Sequence, residues 1–178
     1  MSEYGVMKDT TTVRMERVLP GTIDDVWEYL TDSDKRSTWL ASGTMDLRVG
    51  GKADLTFNFK RLTSETTPDR FLPYETGHQQ SGHITACNPP HLLSFTWNEK
   101  NGRSSEVCFE LKSQGAKTLL IVTHSRLPNR TEMISVSGGW HTHLGILEDR
   151  LNQQTPRLFW ASFLKLESEY QKRIPDFS

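Results

Sequence analysis

Only two cysteines occur in 178 residues, Cys87 and Cys108, and no C-x-x-C pair is present. That scarcity argues against a disulfide framework or a cysteine-ligated zinc site and suits two reduced thiols. Neither sign of charge is in excess: 21 Lys and Arg stand against 22 Asp and Glu, for a formal net charge of −1. Lacking a basic stripe, the chain is not expected to bind nucleic acid or an anionic membrane surface. No window approaches eighteen apolar residues, and the first thirty are polar and charged with no apolar signal core, so the expectation is a cytoplasmic protein with no membrane span. The familiar catalytic motifs are missing too. There is no G-x-S-x-G, Walker loop or H-E-x-x-H, and no carboxylate pair on an inward-facing strand, so the usual parts of nucleophilic, phosphoryl-transfer, metal and glycosidic chemistry are lacking. No catalytic residue, metal or cofactor is assigned, and a non-catalytic role is favoured.

The length allows one domain with a proper core. Residues 1–10 carry no apolar periodicity and read as a loose tail. Thr11 to Leu19 alternates as a half-buried strand closed by Pro20 and Gly21. Thr22 and Asp25 then form a capping-box start to a short helix reaching Thr31, and Ser33 to Leu40 reads as a second helical piece burying Trp39 and Leu40. Six further strands are predicted: Thr44 to Val49, Lys52 to Lys60, Gly77 to Cys87, His91 to Trp97, Arg103 to Lys112 and Lys117 to Ser125. Breaks fall at Gly50-Gly51, Pro89-Pro90, Asn101-Gly102 and Gly115, the second-last being a primed hairpin turn. Arg61 to Tyr74 is too long for a simple connection and is a candidate lid.

One face of these strands is consistently apolar, through Leu55, Phe57 and Phe59, Leu93, Phe95 and Trp97, Val107, Phe109 and Leu111, and Leu120 and Val122. A helix must cover it. The stretch "VSGGWHTHLGILEDRL" supplies one, since Met133, Val136, Trp140, Leu144, Leu147 and Leu151 fall on one stripe at 100° per residue. On a helix, His141 and His143 project to opposite sides of that stripe and cannot chelate one ion. Gly138 and Gly139 each cost the helix about 1 kcal/mol against alanine, so close packing or open space must favour a missing side chain there. After Gln154, Thr155-Pro156 marks a restart. Phe159, Trp160, Phe163, Leu166 and Tyr170 make a new stripe over residues 153–178, expected to pack on the outside of its own domain or, alternatively, in a homodimer.

One strand, two short helices, six antiparallel strands and a long helix against them resemble the helix-grip fold, an α+β architecture, of the START-like or SRPBCC superfamily. The blocks "ERVLPGTIDDVWEYLTDSDKRSTWL", "LRVGGKADLTF", "SGHITACNPPHLLSFTW", "KTLLIVTHSRLP" and "SGGWHTHLGIL" are similar to the branch named after the activator of the heat-shock-protein-90 ATPase. The resemblance runs from Val13 to Leu151 and implies a domain over residues 11–152 in which about seven strands grip the long helix around a cavity. It implies an apolar or aromatic small molecule as partner, held by Trp39, Phe57, Phe59, Phe95, Trp97, Trp140 and Leu144, with the inward-facing His124 and His143 at its polar end. Each ring or imidazole taken alone is equally explained as satisfied core. Two other functions are compatible with the same branch: a stress-related chaperone cofactor, and a polyketide cyclase or dehydratase-like enzyme.

Overall fold

The computed structural model describes residues 2–100 and 103–177; the expected turn at Asn101-Gly102 lies outside the described residues. Seven strands, β1 (Val6–Asp9), β2 (Thr12–Pro20), β3 (Lys52–Phe57), β4 (His78–Asn88), β5 (Leu92–Lys100), β6 (Arg103–Gln114) and β7 (Lys117–Ser125), form one antiparallel sheet. Their order is β1-β2-β7-β6-β5-β4-β3. Five helices accompany them: α1 (Ile23–Thr31), α2 (Ser33–Ser37), α3 (Phe59–Leu62), α4 (Arg130–Leu151) and α5 (Phe159–Arg173). This is the helix-grip architecture, with the 22-residue α4 laid across the apolar face of the sheet. Among the described residues no helix is long and apolar enough to cross a membrane.

Local chemistry sets the helix boundaries. Thr22 Oγ1 accepts from Asp25 N–H at 3.3 Å while the Asp25 carboxylate accepts from Thr22 N–H at 2.9 Å, a reciprocal cap that starts α1. Asn129 Oδ1 accepts from Glu132 N–H at 2.9 Å to start α4. Trp39 and Leu40 are buried as expected, and so is Arg36, at 1% exposure. The Arg36 guanidinium donates to the carbonyls of Leu30, Thr31, Ala41 and Gly43, tying α1 to the chain after α2. Burial lowers its pKa to about 10, so it is charged at neutral pH.

Several boundaries differ from the sequence reading; the second helical piece stops at Ser37 and β5 runs on to Lys100. Residues 6–9 are not loose: β1 pairs with β2, and Gly5 N–H donates to Tyr170 Oη at 2.7 Å. Thr44 to Val49 is no strand; it makes the isolated bridge Met45↔Ala53 and then turns back, with Gly51 N–H donating to Arg48 O. Leu47 and Val49 are accordingly exposed, having no layer to cover them. β3 stops at Phe57, and Phe59 opens α3 instead of extending a strand to Lys60. The last helix begins at Phe159, because Arg157 holds the preceding chain extended: its backbone N–H and guanidinium both donate to Asp149, at 2.7–2.8 Å. The strand count of seven is therefore right with one member exchanged.

The register places the inward row. Trp97 stands opposite Ser105, Phe95 opposite Val107, and Val107 opposite His124, which pairs on its other side with Val13. Directly paired residues share a sheet face, so Trp97, Ser105 and His124 all point toward α4.

Candidate functional site

Between the sheet, α4, α5 and the Phe59–Tyr74 segment lies a cavity of about 680 Å³. Six of the nine residues expected at a site line it: Phe57, Phe59, Trp97, His124, Trp140 and His143. Trp39, Phe95 and Leu144 do not. They are at most 1% exposed and belong to the packed core behind the wall. Exposed Arg126, Pro128 and Glu132 mark the rim near the start of α4.

The wall is an aromatic mosaic. Trp97 contacts Trp140 at 5.3 Å and Phe57 at 6.0 Å between ring centroids, and Phe59 sits 4.8 Å from Phe159 and 4.9 Å from Trp160. Tilted and edge-on pairs of this kind contribute about 0.5–1.5 kcal/mol each beyond their buried area. Phe159, Trp160 and Phe163 line the cavity, so the last helix is not merely an outer layer: it closes one side. The segment expected as a lid is anchored to it. Glu65 accepts from the backbone N–H groups of Trp160 and Ala161, both at 2.8 Å, capping α5 from outside its own chain segment. Arg70 pairs with Glu167, and Phe71 stacks on Trp160 at 4.8 Å.

The two adjacent glycines of α4 have different surroundings. A Cβ on Gly138 would lie 3.4 Å from the Glu167 backbone, an ordinary contact, so α5 leaves room there for a methyl and little more. A Cβ on Gly139 would meet nothing within 4 Å, and Gly139 borders the cavity.

The polar groups in this wall have fixed roles. Trp140 Nε1–H donates to His124 Nδ1 at 2.9 Å, and an indole can only donate, so Nδ1 carries no proton. The His124 proton is then on Nε2, 2.7 Å from Ser105 Oγ, to which it donates. His143 Nδ1 lies 2.7 Å from the Trp39 carbonyl, which can only accept, so this ring carries its proton on Nδ1. Burial pushes the pKa of His124 down to about 3 and that of His143 to about 4, the latter against a raising effect of its bond to Trp39. Both rings are neutral near pH 7. His141 and His143 diverge from α4, the former contacting Tyr170 Oη at 2.9 Å beneath α5. Among the described residues no three His, Cys, Asp or Glu side chains are grouped to hold a metal ion.

Trp160 is 3% exposed; its ring lines the cavity, while its Nε1–H is shut off from that space and has no partner among the described residues. This orphan donor was not legible in the sequence, nor were Phe71 and Tyr74, which come from a short 3-10 helix, Asp69–Tyr74, inside the expected lid. Ser105 did have a signal: it continues the Val107, Phe109, Leu111 alternation backwards by two residues.

No match was found among curated proteins. Among solved structures, a Bordetella parapertussis protein studied by NMR is 38% identical, with a TM-score of 0.82 over 97% of this chain and 91% of that one. CalU16 from Micromonospora echinospora is 22% identical, with a TM-score of 0.68 over 90% of this chain and 86% of its own. A protein of unknown function from Enterococcus faecalis is 21% identical, with a TM-score of 0.65 over 96% of this chain and 88% of its own. These last two are similar in fold. The model of the activator of Hsp90 ATPase homolog 1-like proteins matches residues 20–152, from the end of β2 to just past α4. With that match and the helix-grip sheet closed around α4, the chain belongs to the activator of Hsp90 ATPase homolog 1-like family.

Proposed function

We propose that this protein binds an uncharged apolar or aromatic small molecule in the cavity between the sheet and α4. The observation that carries the reading is an aromatic-walled cavity with two polar side chains, Ser105 and His143, on its lining. A cavity of about 680 Å³ has the size of a small-ligand site. Gly139 supports the same reading, because the helix forgoes alanine's propensity where a side chain would enter the space. A proton-moving role has less support: with a pKa of about 4, His143 is a weak base near neutrality, far from the value that favours general base catalysis.

The test uses N-phenyl-1-naphthylamine, a neutral fluorophore that brightens in apolar surroundings. Saturable binding is expected, with a rise in Tm as ligand linkage requires, about 2.7 kcal/mol at a hundredfold excess over Kd. Gly139→Trp fills the cavity and should abolish both signals while leaving the fold intact by circular dichroism. Absence of saturable binding, or binding unchanged in Gly139→Trp, overturns the proposal.

A further inference from the structure

The hydrogen bonds around the cavity constrain what an occupant can offer. A serine hydroxyl ordinarily gives or accepts. Ser105 already accepts from His124 Nε2–H, whose own orientation is fixed by the Trp140 indole two bonds away. Accepting one bond polarises the O–H and makes it a better donor, and that O–H has no acceptor among the described residues. His143 is the opposite case: with its proton held by the Trp39 carbonyl, only the Nε2 lone pair remains. Among the described residues no lysine borders the cavity, and the one arginine there, Arg126, is exposed at the rim and 3.6 Å from Glu106. An anionic ligand head would therefore lose its water without gaining a cation inside.

We infer that the cavity selects its ligand by a fixed hydrogen-bond polarity: Ser105 reads a neutral acceptor such as a carbonyl oxygen, His143 reads a hydroxyl or N–H, and carboxylates are rejected. This rests on the cavity-binding reading above and adds its chemical selectivity. His124 is a positioning residue in this scheme, acting through Ser105.

Four fluorescent probes of one shape test it: pyrene, 1-acetylpyrene, 1-pyrenemethanol and 1-pyrenecarboxylate, titrated at pH 7.5. In the wild type 1-acetylpyrene and 1-pyrenemethanol should bind about tenfold more tightly than pyrene, as one hydrogen bond in a dry site allows. The carboxylate should bind more weakly than pyrene. Ser105→Ala should remove the advantage of 1-acetylpyrene. His143→Phe should leave that advantage intact and remove the one of 1-pyrenemethanol. Pyrene itself makes no hydrogen bond, so each affinity is read as a ratio to the same variant's affinity for pyrene, which removes changes in the apolar wall. If Ser105→Ala does not fold, Ser105→Cys, with a weaker donor, should lower the ratio without abolishing it. The inference is overturned if the carboxylate matches 1-acetylpyrene, or if the variants bind pyrene and keep the wild-type ratios. If none of the four binds the wild type, the cavity-binding reading itself fails and this one with it.

Discussion

Arg36 is a charged side chain buried without a carboxylate partner, and its stability comes from arrangement. Four backbone carbonyls surround the guanidinium, satisfying its donors while it satisfies acceptors that no helix or strand uses. Arg36→Ala would strand several of them at once. A loss of at least about 3 kcal/mol is expected in urea denaturation, from buried carbonyls at about 1–3 kcal/mol each. Arg36→Lys should lose a similar amount, since an ammonium cannot span the same fan of acceptors. The glycine pair of α4 makes a second contrast at this scale. Gly139→Ala should stabilise by about 1 kcal/mol, the propensity difference, because its methyl meets nothing. Gly138→Leu should destabilise, because it pushes against the Glu167 backbone and separates α5 from α4.

At the scale of elements, α5 carries two duties. Its inner face buries Phe159, Trp160, Phe163 and Tyr170, and the first three of these also close the cavity. Its first turn has no cap from its own flanking residues; the free N–H groups of Trp160 and Ala161 are taken by Glu65. A carboxylate at a helix N-terminus meets both the unpaired donors and the positive end of the helix dipole. Glu65→Ala is therefore expected to cost about 1–2 kcal/mol and to raise hydrogen exchange at the start of α5 before other regions. Little of this was readable beforehand. The Phe159, Phe163, Tyr170 stripe gave the helix and its apolar face, but periodicity cannot say that the face meets a cavity. A cap supplied from almost a hundred residues away leaves no local pattern. Thr155-Pro156 has the composition of a helix start, and the Arg157–Asp149 pairing overrides it.

For the whole molecule, the alternation of short strands and the single long apolar stripe were enough to define the sheet, the helix across it and its inward face. They do not report depth. Phe95 and Trp97 share a strand face, but Phe95 packs under the wall and Trp97 forms it, a difference set by where α4 stands off the sheet. The tail reading failed for a related reason: β1 is held by backbone pairing and by Tyr170, neither of which needs an apolar pattern in residues 6–9. The interior also sets how stability follows pH. His124, His141 and His143 are held neutral to about pH 3–4 by burial, His141 also by nearby arginines, whereas an unfolded histidine takes a proton near 6.5. As pH falls below 6.5 the unfolded state binds protons that the native state refuses, so stability present above 6.5 is lost toward pH 4. Each histidine contributes a slope of about 1.4 kcal/mol per pH unit in that window, and urea midpoints at pH 7, 6 and 5 should fall with increasing steepness. His141→Gln should flatten the fall by about a third, and an unchanged slope would assign the loss to other groups.

The empty space over Gly139 has a consequence for descent as well as for stability. A single-nucleotide change in any glycine codon reaches alanine or valine, and at this position the added methyl groups intrude on nothing but the cavity. Most interior sites resist such steps because enlarging a packed residue strains its neighbours. Here a lineage can narrow the cavity by one carbon's width at a time while gaining helix propensity, so its volume is heritable in small, tolerated increments written at one codon.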